Sequence, residues 1–399
     1  MTERKPKITA ERDALVALRR ELHRHPEVGL QEFRTAQVIE RELDRLGVEH
    51  RRIGETGVLG ILRGSGAGRR IVALRADIDA LPIQEQNAVD YRSETDGVMH
   101  ACGHDAHTAC LLGAAKILAE NRDAFGGEVR LCFQQAEEIG QGARQFLQAG
   151  VLDGVERVFG LHTAPDLPAG SVGIKPGANN ASVDYFKITV QGKSAHVSTP
   201  QLGVDALYIA SQIVVSLQAL VTRLTSPIEP VLIGVGTLHA GTAYNALAAS
   251  ATLEGTVRAF SPEQRQQTCR QIAAVAEQTA RLYGGSAGID FADFTSPLLN
   301  DPTVCREATA VADRLWGPGH VIADRTLSLG GDDFAEFLLR VPGAYAYLGT
   351  RNDALPATQH PAHNGCFDID EAVLPRGAEL YAAYALWWLG QDELTENFS

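Results

Sequence analysis

One short segment of the chain, "HACGHDAH" at residues 100–107, holds three histidines, a cysteine and an aspartate within eight positions. Cys102 and His104 are two residues apart, so a turn rather than a helix face would direct both side chains at one point. A thiolate and a neutral imidazole are good ligands for zinc and related transition metals. The same pattern is typical of a buried cysteine beside a helix-capping Asp105. The segment therefore indicates a metal site only if further ligands converge on it.

Further candidate ligands follow three apolar segments that are typical of buried strands. Asp77 and Asp79 follow the first, Glu137 and Glu138 follow the second, and His162 follows the third. Because ligands bind at the carboxyl edge of an open α/β sheet, we expect these side chains to meet in one crevice. The histidine-rich segment precedes a helix and can face the same crevice. Together these groups predict a metal site built from several strand ends.

The adjacent carboxylates Glu137 and Glu138 suggest two different roles at the metal site. Neighbouring residues at a strand end point in opposite directions, so one carboxylate can bind metal while the other faces the metal-bound water. The alternative is a solvated strand exit, although two adjacent carboxylates would then repel one another. His360 and His363 lie in a loop from which one of them could reach the crevice. His23 and His25, beside Pro26, are interpreted as structural or peripheral.

The order of apolar segments indicates how these residues are positioned. Strands such as "RIVALRADIDALP" and "GAYAYLGT" alternate with helical segments such as "AHTACLLGAAKILAENRD", which predicts an α/β fold with a mainly parallel sheet and helices on both faces. After "SVGIKPGANNAS" the pattern becomes β-α-β-β-α-β, which predicts an inserted α+β domain. We place the main α/β domain at residues 1–183 and 295–399 and the inserted domain at residues 184–294.

Composition excludes several classes of partner. The chain has 399 residues, enough for two domains, and a formal net charge of −13, which disfavours nucleic acid and anionic membranes. We find no apolar run near the roughly 20 residues of a membrane span, and the charged N-terminus predicts a cytoplasmic protein. The six cysteines are scattered singly, which favours free thiols.

Several longer motifs resemble those of a known family. The resemblance is to the aminoacylase/carboxypeptidase G metallopeptidase family, in its hippurate hydrolase and indole-acetyl-amino acid amidohydrolase branch, and it covers nearly the whole chain. It implies that the main domain is catalytic and holds two divalent metal ions per subunit, zinc or manganese, and that the inserted domain is a lid that often forms a homodimer contact. The motifs that carry it are "HRHPEVGLQEFRTA", "ALRADIDALP", "MHACGHDAHTACLLGAA", "FQQAEEIGQGAR", "GLHTAPDLPAGSVGIKPG", "NALAASATLEGTVRAF" and "CFDIDE".

The resemblance also implies a role for individual catalytic-domain residues. Glu137 falls at the catalytic base, and Asp77 and Asp79 fall in the segment that orients ligands. Arg75 stands where other branches use a metal-ligating histidine. The implied metal ligands are Cys102, His104, Glu138, His162 and His363.

The implied substrate-binding residues belong to the lid. His196 and Asn245 match groups that stabilise the oxyanion and hold the substrate, and Arg258 is assigned with them to substrate binding. Three motifs depart from the common family forms and leave the substrate open, namely "GKSAHVSTP", "GGDDF" and "HNGCF".

These features predict a metal-dependent amidohydrolase that cleaves N-acyl amino acids to a carboxylic acid and a free amino acid. One alternative is a metallo-exopeptidase that uses the same centre on small peptides. A binding protein without catalysis is a second alternative, although all five ligands and Glu137 are present. A third is a hydrolase with Cys102 as nucleophile, but such a mechanism gives the carboxylate pair no role. We expect a homodimer that binds neither nucleic acid nor membrane.

Overall fold

Buried strands organise residues 6–390, the part of the chain that this computed structural model describes. The longest central strands are those that the apolar segments predict, and the short peripheral strands had no clear sequence pattern. In chain order the strands are β1 (Glu49–Ile53), β2 (Gly57–Arg63), β3 (Gly66–Asp77), β4 (Gly126–Gln134), β5 (Arg157–Pro168), β6 (Val172–Gly173), β7 (Gly177–Asn180), β8 (Val183–Gln191), β9 (Val231–Ala240), β10 (Ser250–Ala259), β11 (Ser286–Thr295), β12 (Leu298–Asn300), β13 (Val321–Ile322) and β14 (Gly343–Arg351).

Helices connect and cover these strands. The first six helices are those predicted from helical periodicity, whereas the last three were not identified in the sequence. In chain order the helices are α1 (Arg12–Arg24), α2 (Phe33–Arg45), α3 (His104–Glu120), α4 (Gly142–Gln148), α5 (Ala206–Ala219), α6 (Pro262–Leu282), α7 (Pro302–Trp316), α8 (Phe334–Leu338) and α9 (Leu374–Leu389).

The first of two structural units contains a sheet with the strand order β1-β2-β4-β3-β5-β14-β6-β13. Its four central strands, β4, β3, β5 and β14, run parallel, whereas β1 and β2 form an antiparallel edge. This arrangement confirms the predicted mainly parallel α/β fold. The unit comprises the described residues up to Gly177, Leu299–Thr326 and the described residues from Asp332 onward.

Helix α3 is packed tightly inside this unit. Most of its residues are buried, and it contacts both α1 and α9. At Gly113 an added Cβ would lie 2.7 Å from a Leu15 methyl carbon and 2.8 Å from the Cβ of Ala378. Such close helix packing leaves α3 little freedom to shift. The N-terminus of α3, which carries His104, is therefore a rigid support.

The second unit comprises Ala178–Leu298 and Leu327–Gly331, so it begins before residue 184, ends after residue 294 and takes in a further short segment. Its antiparallel sheet has the order β11-β8-β10-β9, and α5 and α6 pack on it. In chain order these elements give β-α-β-β-α-β, which confirms the predicted topology. Ser261 caps α6 with a hydrogen bond from the Gln264 amide.

One helix in the second unit corrects an expectation from the sequence. Residues Ala206–Leu224 form a continuous helical segment of 19 residues with a mean hydropathy of 1.4, long and apolar enough to cross a membrane by length and composition alone. A single such helix is weak evidence for a span, because core helices pass the same test. Ile209, Ile213 and Leu217 pack into the core of this unit.

Candidate metal centre

A tight turn at the start of α3 directs Cys102 and His104 toward β5. Gly103 between them has a φ of 89°, a left-handed conformation that favours glycine. A Cβ at Gly103 would lie 2.4 Å from the Thr163 hydroxyl oxygen. Only glycine fits this position, so the turn and the close approach to β5 are built into the sequence.

His162 lies on β5 two residues beyond the end of its pairing with β3, which stops at Arg75 and Gly160, and it remains paired with Tyr347 of β14. Its Nδ1 donates a hydrogen bond to the Thr163 carbonyl at 2.6 Å, and its Nε2 lies 3.5 Å from the Cys102 Sγ. Burial, followed by the neighbouring His107, holds the pKa of His162 well below its usual value. The imidazole is therefore neutral, which is the form that binds metal.

The Glu137–Glu138 pair lies in a turn after β4, which ends at Gln134. This corrects the reason given for their divergence, since the turn rather than the strand pleat separates the two side chains. The Glu137 and Glu138 amides donate hydrogen bonds to the two carboxylate oxygens of Asp79, at 3.1 and 3.0 Å. Ala136, just before them, has a φ of 54°. The turn is thus held in an unusual conformation.

A loop preceding α9 brings His363 to the same place. His363 has a φ of 65°, and its amide donates to the Ala101 carbonyl at 2.8 Å. Its Nε2 lies 3.4 Å from a Glu138 oxygen, and its side chain is 54% exposed. The neighbouring Cys102 and Glu138 side chains raise the pKa of His363 to about 10. The loop therefore adds a solvent-facing imidazole to the buried groups.

Two sets of three potential ligands share the Cys102 sulfur. In one set Cys102 lies with His104 and His162, and in the other with Glu138 and His363; the ligand atoms of each set lie within 4.8 Å of one another. Cys102 would therefore be a ligand common to both sets if each set held an ion. Thiolate, imidazole and carboxylate together suit divalent transition metals.

Unpartnered polar atoms at the same place support this interpretation. Both ring nitrogens of His104 and one oxygen of Glu138 are buried and form no hydrogen bond. Although His104 Nδ1 lies 3.3 Å from an Asp79 oxygen, buried polar groups almost always form hydrogen bonds, so three such atoms together favour a bound ligand here. Divalent metal ions would satisfy them, and the donor set fits the dinuclear site that the sequence predicts.

Asp77 links the ligands to deeper buried groups. One of its oxygens accepts a hydrogen bond from His107 Nδ1 at 2.5 Å, and the other accepts one from Arg75 at 2.6 Å. The His107 Nε2 accepts a hydrogen bond from the Thr163 amide, which places the His107 proton on Nδ1. Asp77 also lies 3.8 Å from His104 Nε2. These contacts suit the orienting role implied for Asp77.

Glu137 lies among further carboxylates that the sequence reasoning did not assign. Its ligand atom lies within 4.8 Å of those of Asp332 and Asp333, and all three residues are buried. Burial, followed by the charge of Asp332, raises the pKa of Glu137 well above its usual value. The "GGDDF" motif contained the signal, since two adjacent acids follow a glycine pair, but it was noted only as a departure from family forms.

The predicted lid residues lie in the second unit. His196 and Asn245 are exposed neighbours, because the Val197 amide donates to the Asn245 carbonyl at 3.1 Å. The His196 Nδ1 lies 2.7 Å from the Ser198 hydroxyl. Arg258, on β10, donates to the Leu329 carbonyl at 3.3 Å. The structure thus brings His196 and Asn245 together, with Arg258 on a separate strand of the same unit.

Comparisons with known proteins agree over nearly the full chain. The model of peptidase family M20/M25/M40 matches residues 73–387. The N-acetyl-L-cysteine deacetylase of Bacillus subtilis (strain 168) is 40% identical over 384 residues, which cover 96% of this chain and 89% of that protein. The IAA-amino acid hydrolase ILR1-like 4 of Arabidopsis thaliana is 37% identical, with 94% of this chain and 86% of that protein covered.

A solved structure extends the likeness to three dimensions. The Bacillus subtilis YXEP protein, described as a dinuclear metal binding peptidase from the M20 family, superposes with a TM-score of 0.84 and 37% sequence identity. The match covers 95% of this chain and 98% of that one. The metal-ligand geometry described above therefore occurs on a fold known to hold two metal ions.

Proposed function

The chain belongs to peptidase family M20/M25/M40 and is a metal-dependent hydrolase of linear amides, and from this premise we propose that its substrates are N-acyl amino acids. The motif resemblance to the aminoacylase and amidohydrolase branch is confirmed. Two relatives are named for the hydrolysis of acylated amino acids, namely N-acetylcysteine and indole-acetyl conjugates. This chain releases a carboxylic acid and a free amino acid from such compounds.

The observation that carries the chemistry is the position of Glu137, which is buried beside the shared ligand sets and has a raised pKa. When bound, the metal ions lower the pKa of water and polarise the substrate carbonyl. Glu137 accepts a proton from the attacking water and delivers it to the leaving amine. This general acid and base role is typically worth about 10² to 10⁴ in rate. The thiolate and carboxylate donors suit zinc or manganese.

A substrate panel tests the proposal directly. N-acetyl and N-benzoyl amino acids are compared with unblocked dipeptides of the same C-terminal residue, before and after chelation and metal restoration. We expect the acylated compounds to be hydrolysed at least tenfold faster, with activity lost on chelation and recovered with zinc or manganese. Preference for free dipeptides would instead support an exopeptidase; the solved M20 relative is described as a peptidase.

Variants of the carboxylate pair separate the two proposed roles. We expect Glu137→Gln to retain metal but lose at least 10² in turnover, because an amide cannot carry a proton. Glu138→Gln should lose metal and activity together, since Glu138 lies with Cys102 and His363 in one ligand set. Metal content is measured by elemental analysis after gel filtration. Equal metal loss in both variants would show that the roles are shared.

His196 and Asn245 stabilise the oxyanion and hold the substrate, and Arg258 contributes to substrate binding. Their support is the match to the family motifs and the adjacency of His196 and Asn245 in the second unit. Loss of one oxyanion donor typically costs about 10² to 10³ in turnover. His196→Ala should lower kcat at least tenfold at unchanged metal content, whereas Asn245→Ala should also raise KM. His239→Ala, at another exposed histidine of this unit, is the control.

The second unit also forms the contact of a homodimer. Strand β9 lies at the edge of its sheet and exposes Leu232 and Leu238, while α5 exposes Val215. Apolar side chains on an open strand edge favour association unless they are covered. Sedimentation velocity should give a dimer mass, and the Leu232→Lys, Leu238→Lys double variant should sediment as a monomer. A monomeric parent protein would exclude this contact.

A further inference from the structure

The carboxylate of Glu32 forms an unexpected long-range contact. Glu32 immediately precedes α2, the position from which a capping side chain accepts hydrogen bonds from the first amides of its own helix. It makes no such bond, and Glu27 instead accepts the amides of Arg34 and Thr35 at 3.0 and 2.8 Å. The helix start is therefore satisfied without Glu32, whose side chain is free to serve another part of the chain.

Glu32 instead binds the turn that carries the proposed base. One of its oxygens accepts a hydrogen bond from the Ala136 amide at 2.8 Å, across 104 positions of sequence. The other accepts a hydrogen bond from the Thr56 hydroxyl at 2.7 Å, and both contacts are buried. Thr56 thereby fixes the orientation of the carboxylate. The Thr56 hydroxyl thus holds one Glu32 oxygen, while the other oxygen contacts Ala136, the residue before Glu137.

The turn needs such support because Ala136 has a φ of 54°, a left-handed conformation that residues with a Cβ rarely adopt. Strained backbone persists only where its surroundings hold it in place. Three successive amides are held here by two buried carboxylates, since Asp79 accepts those of Glu137 and Glu138. The direction of the Glu137 side chain is therefore determined by this pair of carboxylates.

The loop before α2 also packs against the turn. A Cβ at Gly29 would lie 3.2 Å from the Ala136 Cα and 3.4 Å from an Asp79 oxygen. The Ala80 amide donates to the Glu27 carbonyl at 2.8 Å, which ties the loop to the residue after Asp79. The contact of Glu32 with Ala136 is thus one of several contacts that pack the loop before α2 against the turn.

We propose that Glu32 is a positioning residue for Glu137, an inference that rests on the proposed role of Glu137 as the base. Without the Glu32 carboxylate, the buried Ala136 amide loses its acceptor and the turn relaxes from its left-handed conformation. Glu137 then no longer points at the attacking water. A misplacement of about 1 Å can cost about 10² in rate. Because Glu32 acts on the turn and not on the substrate, we expect KM to change little.

The test compares three variants with the parent protein. Hydrolysis of N-acetyl-L-cysteine is measured for each protein in its metal-loaded form. Glu32→Ala should lower kcat at least tenfold, with KM within twofold and metal content unchanged. Glu32→Gln should recover kcat to within about threefold of the parent, because its amide oxygen still accepts the Ala136 amide. Glu27→Ala is the matched control, since it removes a carboxylate from the same loop that contacts α2 rather than the turn.

The outcomes distinguish this inference from the proposed function. If Glu137→Gln retains full activity, the proposed base is wrong. If Glu137→Gln is inactive while Glu32→Ala has parental kcat, only the positioning role is wrong. Equal kcat losses in Glu32→Ala and Glu27→Ala would also overturn it, because they would indicate a general effect on the loop. If Glu32→Ala does not fold, Thr56→Val provides the test, with a kcat loss of at least threefold expected and parental kcat contradicting the proposal.

Discussion

Replacing Arg75 with methionine tests whether one buried cation holds the acidic interior of the catalytic unit together. The Arg75 side chain is fully buried and lies 2.6 Å from Asp77, 2.8 Å from Asp333 and 3.3 Å from Asp332. Its Nε also donates to Gln134 at 2.9 Å. Methionine keeps much of the apolar volume but removes the charge and every one of these donors.

The expected magnitude follows from the charges that remain. Removing one partner of a buried ion pair typically costs about 3 to 5 kcal/mol, because the other charge is left without compensation. Here three carboxylates lose the same partner, so we expect Arg75→Met to fall at the upper end, about 5 kcal/mol. Total stabilities are typically about 5 to 15 kcal/mol, so a large fraction would be lost. The stability of Arg75→Lys should lie between those of the parent protein and Arg75→Met, since a single ammonium group cannot reach all three carboxylates.

The pH dependence gives a second, independent readout. Burial already raises the pKa of Asp333 to about 7 in the parent protein. Without Arg75 the pKa of Asp332 and Asp333, which burial already raises, should rise further above their unfolded values. Stability from such groups is present below the unfolded pKa and is lost as the pH rises through the folded pKa. The deficit of Arg75→Met should therefore be smaller at pH 5 than at pH 8.

Urea unfolding followed by circular dichroism at both pH values measures these quantities. The metal content of each sample is determined in parallel, so that loss of bound ions is not mistaken for loss of the ion pairs. A destabilisation below about 1 kcal/mol at pH 8, or a deficit that is equal at pH 5 and pH 8, would refute the reasoning.

Two further predictions concern other buried groups. Cys102→Ser should weaken metal retention at least tenfold in a chelator competition, whereas Cys110→Ser should bind metal normally, because Cys110 is buried in α3 and contacts only protein; normal binding by both would make Cys102 structural. Burial and a neighbouring arginine oppose the charged form of His23, but hydrogen bonds to Asp105 and Glu85 outweigh them and raise its pKa. Its stabilisation is therefore present below about pH 6.5 and lost as the pH rises through the raised pKa. The stability gap between the parent and His23→Gln in urea unfolding should shrink with rising pH, and a constant gap would contradict the ion pairing.

The periodicity of apolar residues predicted the long strands and helices whose burial depends on that pattern. The last six residues of β3, from Val72 to Asp77, are buried, as expected of a central parallel strand covered on both faces. The β-α-β-β-α-β order of the second unit followed from alternation and helix-start signals such as Ser261 and Pro262. The short strands β6 and β13 have two residues each, too few for a periodic pattern. Their pairing depends on tertiary neighbours that a local pattern does not contain.

Some residues of the candidate site could also be recognised in the sequence, whereas others could not. Cys102, His104 and His162 stood out because their residue types are rare and chemically distinctive, and the sheet edge gave them a common location. Asp332 has an ordinary residue type, and only the folded structure places it beside Glu137 and Arg75. Candidate metal ligands are therefore easier to recognise in the sequence than the neighbouring charged groups that change the pKa of the site residues.

Glu32 illustrates why that limit is physical. The position just before a helix offers a side chain one local interaction, which is to cap the first free amides of that helix. The structure replaces this local contact with one to Ala136, because Glu27 already satisfies the helix start and the left-handed turn has a buried amide to satisfy. The decisive factor is an amide over one hundred residues away, whose need for an acceptor arises only from the strained conformation of its own turn. No local pattern around Glu32 encodes that need, which is why its role is inferred from contacts and tested through turnover.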